Sequence, residues 1–252
     1  MAALSCALHR ILACAGVAVG GLSAPVAMSA PPATCRVEAS GAPPRVVELY
    51  TSEGCNSCPP ADRWLSGLTG RGDTLAAAFH VDYWDRLGWR DRFGSARHTQ
   101  RQSQAQAHAG VSFSYTPQVL VDGRDWRRWP SLPPASDVGF GRATLVLQRD
   151  GDKVQWQVQP AADVPARLAL WWALLEDGHV TEVKAGENAG ATLRHDHVVR
   201  QFGVVPPWRG AAAQTIDVPA RGEGGRPVRV IAVVTDAASG ATLQAAQLRC
   251  PG

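Results

Sequence analysis

Cys55 and Cys58 stand two residues apart in YTSEGCNSCPP, between an apolar run and two prolines. This spacing suits three chemistries: a redox dithiol, half of a soft-metal site, or a small structural clip. A thiol at a helix start meets unpaired backbone N–H groups and the positive end of the helix dipole, and both favour the thiolate. Cys-X-X-Cys thiols at such places are therefore acidified. Cys55, on the exposed turn, is the expected nucleophile, and Cys58, entering the helix, the resolving thiol. Pro59 and Pro60 carry no N–H, and Glu53 adds a nearby negative charge, so the acidification is expected to be weak. Among possible assisting groups, His80 and Asp82 lie at the end of an apolar run, where α/β sheets hold ligands, and Glu48 lies seven residues before Cys55. Asp82 and Asp85 also suit simple pairing with Arg86 and Arg90, and Glu48 suits a paired strand carboxylate. His195 and His197 fall on one side of a predicted strand, as in metal sites. Without a third ligand at metal spacing they read as hydrogen-bonding histidines, and no metal is assigned.

The remaining cysteines sort by position. The chain has 252 residues and six cysteines. Residues 1–30 hold one charged side chain, Arg10, then an apolar stretch and small residues, the pattern of a secretory signal. Cys6 and Cys14 would leave with it. Four cysteines then allow three pairings. Cys35 lies near the mature N-terminus and Cys250 near the C-terminus, and chain ends often meet, so this pair is expected as a structural disulfide. The alternative is that both are free or pair between molecules. Export to the periplasm or outside the cell is expected, where disulfides persist.

The elements that must position the dithiol follow from local pattern. RVVELYT reads as a strand, PPADRWLSGL as a helix with prolines and an acid in its first turn, and TLAAAFHVDYW as a buried strand. SARHTQRQSQAQAHAG reads as a helix capped by Ser95 and ended by Gly110. PQVLVDG reads as a strand closed by an Asp-Gly turn. Strand–helix–strand–helix–strand predicts a parallel α/β core. Beyond WRRWPSLPPAS, short alternating segments predict an antiparallel β-sandwich-like region. LALWWALL suits either a strand or a buried helix. The expected layout is signal 1–30, leader 31–44, α/β domain 45–136 and β-rich domain 137–252.

Net charge is +3, from 25 basic and 22 acidic residues. That balance marks no nucleic-acid or anionic-membrane surface. No stretch after the signal has the roughly 20 apolar residues of a spanning helix. No phosphate-binding glycine loop is present. Trp84, Trp89, Trp126 and Trp129 crowd the loops near the dithiol, suited to an apolar rim or to packing.

A strand, Cys-X-X-Cys and helix followed by YTPQVLVDG resembles the thioredoxin superfamily. The resemblance implies a cis peptide at Pro117 facing the dithiol and substrate hydrogen bonds from the backbone of Thr116. ELYTSEGCNSCPPAD, FHVDYWDRLGWRDRF, TQRQ, YTPQVLVDG and GENAGATLRHDHVVR together look like the secreted thioredoxin-like domain-of-unknown-function family 1223. That implies a thioredoxin-like N-terminal α/β domain, a β-rich region and export in bacteria. The amphipathic helix that usually closes a thioredoxin-like domain has no counterpart in GRDWRRWPSLPPAS. The expected function is thiol–disulfide exchange without a dissociable cofactor, acting on a protein or small thiol and served by a redox partner protein. The alternatives are copper or other soft-metal binding through Cys55 and Cys58, and a non-catalytic binding module.

Overall fold

The region around Cys55 is built on a run of β-branched and aromatic residues that forms strand β2. In the computed structural model, which describes Met1, residues 35–133 and residues 141–250, the strands are β1 (Cys35–Ala39), β2 (Arg45–Thr51), β3 (Thr74–His80), β4 (Gln118–Val121), β5 (Arg124–Asp125), β6 (Ala143–Asp150) and β7 (Lys153–Pro160). They continue as β8 (Leu168–Glu176), β9 (His179–Glu182), β10 (Thr192–His195), β11 (Val198–Trp208), β12 (Ala212–Asp217), β13 (Val228–Asp236) and β14 (Thr242–Leu248). The α-helices are α1 (Pro59–Ser66) and α2 (Ala96–Ala109). The expected signal segment, Met1 apart, and the first residues of the expected leader lie outside the described residues. Residues 35–39, read as leader, form β1.

Most of the fold is one eight-stranded sheet, ordered β14-β13-β8-β11-β3-β2-β4-β5. Only two of its neighbouring pairs are parallel, β2 with β3 and β3 with β11. This corrects the expected fold class: there is no thioredoxin-like α/β domain followed by a separate sandwich-like domain. The finding that overturns it is the seam at β3, where Val198 of β11 pairs with Ala78. Through β11 the sheet runs on into β8, β13 and β14, which the sequence had assigned elsewhere. The described residues from 35 onward form one compact unit.

Periodicity explains why the join is stable. LALWWALL is a strand, β8, buried on both faces. Leu168, Leu170, Trp172 and Leu174 face Leu145, Leu147 and Trp156 of a second sheet, ordered β1-β6-β7-β12. Trp171, Ala173 and Leu175 face the opposite side with Phe79, Tyr50 and Phe202. A strand apolar on alternating and intervening positions alike must lie in the interior of a layered structure, so β8 is central and cannot be the solvent face of a lone sandwich. At about 25 cal/mol per Å2 of apolar surface, these two buried rows are a main source of cohesion between the halves of the chain. The Cys35–Cys250 disulfide forms as expected and ties β1 to the chain end against the same core.

The elements nearest the dithiol match their local signals. Ser95 caps α2, its side chain accepting from the Arg97 amide, and Gly110 ends it at φ 69°. Asp122 and Gly123 turn with φ of 51° and 79° between β4 and β5. Helix α1 packs through Ala61 and Leu65 on Val47, Leu49, Ala76 and Ala78, the face of the sheet opposite α2. Among the described residues no helix is long and apolar enough to cross a membrane.

Candidate functional site

Strand alternation decides which side chains lie beneath α1. Val47 and Leu49 of β2 and Ala76 and Ala78 of β3 pack against α1, so the next residues in phase, Thr51 and His80, reach the same face at the strands' carboxyl ends. They are register partners. From above, α1 presents buried Asp62, whose Oδ2 accepts from Thr51 Oγ1 at 3.0 Å. Cys58 is the N-cap of α1. The dithiol thus stands at the helix start, over the ends of two parallel strands.

Cys55 and Cys58 are joined as a disulfide. Both residues are 0% exposed, whereas Asn56 and Ser57 between them are exposed. The Thr116–Pro117 peptide is cis. Ser57 links the two: its hydroxyl lies 3.4 Å from Cys55 Sγ and donates to the Thr116 carbonyl at 3.5 Å. Thr116 Oγ1 in turn accepts from Trp84 Nε1 at 2.8 Å. The helix start offers the sulfurs few amides. The Cys58 N–H is spent on the Cys55 carbonyl, and those of Ala61 and Asp62 on the Cys58 carbonyl. Prolines occupy the first two helical positions, and the Ser57 hydroxyl is in hydrogen-bond reach of Cys55 Sγ.

A segment remote in sequence clamps the turn. Asn188 Nδ2 donates to the carbonyls of Glu53 and Cys55 at 2.8 and 3.0 Å, and Glu187 Oε2 accepts from the Asn56 amide at 3.1 Å. Both residues belong to the GENAGATLRHDHVVR stretch. Gly186 takes φ 74°, and a Cβ there would sit 3.1 Å from that of Trp89, so glycine lets this loop lie flat on the motif.

Behind the disulfide is a buried polar cluster. His80 Nδ1 and Asp91 Oδ2 are 2.7 Å apart, with neither side chain exposed. Asp91 also accepts from the amides of Glu53 and Phe93. Glu53 Oε2 accepts from Trp89 Nε1 at 2.8 Å, and His195 Nε2 lies 3.3 Å from Glu53 Oε1. Burial raises Asp62 above the usual carboxylate range. Burial also pushes Glu53 up, but His195, Thr181 and Trp89 outweigh it and hold it below its usual value. For His80, burial favours the neutral ring, yet Asp91 prevails and raises it.

The other candidates lie elsewhere. Glu48 faces the α2 side, in a buried pair with Arg101 at 2.8 Å and accepting from the Tyr50 hydroxyl at 3.0 Å. Asp82 accepts from Thr99 Oγ1 of α2 at 2.6 Å, and Asp85 from the Asp91 amide. His195 and His197 part company: His197, at φ 58°, lies against Thr69 and Arg229. Trp84 and Trp89 join the site, whereas Trp129 packs on Trp64 and Trp126 donates to the Ser131 carbonyl. Sequence reasoning did not single out Asp91, Asn188 or Glu187. The only available sign was their place inside the long motifs.

A buried disulfide in a four-residue turn, at the meeting of two parallel strand ends and a helix start, defines a protein of the Cys-X-X-Cys class on a mixed β-sheet. The chain belongs to the family described as "Protein of unknown function (DUF1223)", whose profile matches residues 46–235. Among solved structures it is similar to protein AGR_C_4864 of Agrobacterium tumefaciens, with 26% identity and a TM-score of 0.60 over 82% of this chain and 95% of that one. It also shares a fold with HBP35 of Porphyromonas gingivalis, with 14% identity and a TM-score of 0.58 over 83% of this chain and 76% of that one. No curated protein matches.

Proposed function

We propose that this is an exported thiol–disulfide exchange protein working through Cys55 and Cys58. The observation that carries the reading is Ser57, whose hydroxyl stands between Cys55 Sγ and the Thr116 carbonyl. Once the disulfide opens, that hydroxyl turns its one proton from the Thr116 carbonyl to the Cys55 thiolate, a service the proline-blocked helix start does not supply. The step is a two-electron exchange. A substrate thiolate attacks Cys55 Sγ, the Cys55–Cys58 bond breaks, and Cys58 leaves as a thiolate. A second substrate thiol then displaces Cys55, so the substrate is oxidised and the pair reduced. Run in reverse, Cys55 attacks a substrate disulfide and Cys58 resolves the adduct. Export is supported by the signal-like first segment and by two disulfides, which persist in oxidising compartments.

Access to Cys55 needs the Asn56–Ser57 turn to lift, because both cysteines are fully buried. That burial is what favours a second reading, a purely structural clip. Loop length argues against it. Closing so short a ring stabilises by only about 2 kcal/mol, and the chain already has a long-range disulfide. The test is trapping. Cys58→Ser, treated with a dithiol or a mixed peptide disulfide, accumulates a stable adduct at Cys55, and Cys55→Ser does not. Absence of any adduct in folded Cys58→Ser contradicts the proposal.

A further inference from the structure

We infer that Asp62, His80 and His195 form a site for a divalent first-row transition ion, of which Zn(II) is the probe, distinct from the two cysteines. One ligand atom from each of the three residues lies within 4.8 Å of the others, and all three residues are buried. The donor set, two imidazoles and one carboxylate, is that of open zinc and iron sites, with room for a further ligand.

Two independent observations point to a cation. The first is orphaned atoms. His80 Nε2 and His195 Nδ1 are buried without a hydrogen-bond partner, while His195 Nε2 faces Glu53 Oε1 at 3.3 Å. Such atoms each cost on the order of 1–3 kcal/mol, and two on imidazoles whose rings lie 4.9 Å apart call for a ligand. His80 is set up as metal-binding histidines are: Asp91 holds Nδ1 at 2.7 Å, which leaves Nε2 as the lone-pair donor and makes it more basic. The second is charge. Glu53, Asp62 and Asp91 bring three carboxylates into a dry space, and among the described residues no Lys or Arg pairs with them. The cluster therefore holds more carboxylates than basic side chains.

In a second group, Glu176, His179 and Glu223, one ligand atom from each residue also lies within 4.8 Å of the others. It carries its own cations: Arg92 and Arg200 bond to Glu223, and Arg200 lies 3.7 Å from Glu176. Glu176 Oε2 and His179 Nε2 also lack a hydrogen bond, but they face each other at 2.8 Å as an ion pair, so the charges there are already matched. At the first group, ligands about 2.1 Å from a tetrahedral zinc lie about 3.4 Å from each other. Contacts up to 4.8 Å must therefore shorten by up to about 1.4 Å on binding. Small side-chain rotations of Asp62 and His195 supply this, with the His195–Glu53 contact of 3.3 Å exchanged for the bond to the ion.

The experiment is titration of Zn(II) into the full chain, disulfide-bonded and stripped with chelator, followed by calorimetry and by the absorption spectrum after Co(II) loading. One ion per chain is expected. His80→Gln and His195→Gln should each weaken binding at least tenfold, and Asp91→Asn by about 10–100-fold. His197→Gln, outside the cluster, and the Cys55→Ala/Cys58→Ala double variant should bind as the parent does. The Co(II) form of the unmodified protein should show the intense bands of four- or five-coordinate nitrogen and oxygen ligation without sulfur charge transfer, a reading that stands even if a variant fails to fold. Lack of stoichiometric binding, binding that survives loss of both histidines, loss of binding with the cysteines, or a weak six-coordinate or thiolate spectrum would each overturn the site. None of these results bears on exchange at Cys55.

Discussion

Replacing Cys35 and Cys250 together by alanine removes a cross-link between residues 215 apart, and replacing Cys55 and Cys58 removes one between residues three apart. In the chain-entropy description, the first restrains the unfolded chain by about 5 kcal/mol and the second by about 2 kcal/mol. Cys55 and Cys58 are fully buried, so their truncation also loses packing worth roughly 1 kcal/mol. The expected costs are therefore about 5 and about 3 kcal/mol, equivalent to falls in Tm of roughly 10–20 °C and 6–12 °C for a unit of this size. Non-reducing denaturant titration of both double variants, with m-values compared, measures them. If the Cys55/Cys58 variant loses as much stability as the Cys35/Cys250 variant or more, the short disulfide is a principal staple. A chemical purpose for that bond is then refuted.

Other perturbations test the surrounding frame. Arg101→Met strands the buried Glu48 carboxylate among apolar neighbours and should cost about 3–5 kcal/mol in a denaturant melt, whereas combining Arg101→Met with Glu48→Gln should recover much of it. Gly123→Ala must place a Cβ 2.5 Å from the Gly240 carbonyl oxygen at φ 79°, so the β4–β5 turn should lose at least about 1 kcal/mol, read as a lower Tm. Burial pushes Asp177 up, but the Arg229 guanidinium and the His197 amide hold it below its ordinary 3.8. Its contribution is therefore fully present above that value and is lost as pH falls through the lower folded value. Stability measured from pH 6 downward should fall less steeply at the acid end in Asp177→Asn than in the parent.

The sequence displays whatever depends on neighbours along the chain. Ser95 and Gly110 mark the ends of α2, the Asp122-Gly123 pair marks its hairpin, and the β-branched run marks β2. It hides pairing between remote strands. The single parallel contact of Val198 with Ala78 converts two expected domains into one sheet, and no local pattern encodes it. LALWWALL carried the clue, because a strand apolar at every position needs cover on both faces. The site divides the same way. Cys55 and Cys58 were legible from their motif, Thr116 and Pro117 only through the family resemblance, and His80 was one of several possible assisting groups. Glu53, Asp62 and His195 had been noticed for separate reasons, and only the folding of β10 against α1 brings them together. Glu48 and Asp82 were plausible by spacing, yet the two-residue period of β2 turns Glu48 toward α2 and Thr99 takes up Asp82.

The central claim is that the Cys55–Cys58 bond reacts while the fold stands. Mass spectrometry with alkylation, after graded dithiol treatment under native conditions, measures this directly. The account predicts that Cys55 and Cys58 take up two labels at reductant concentrations that leave Cys35–Cys250 intact and the circular dichroism unchanged. Labelling of all four cysteines at once, only where the protein unfolds, would contradict it.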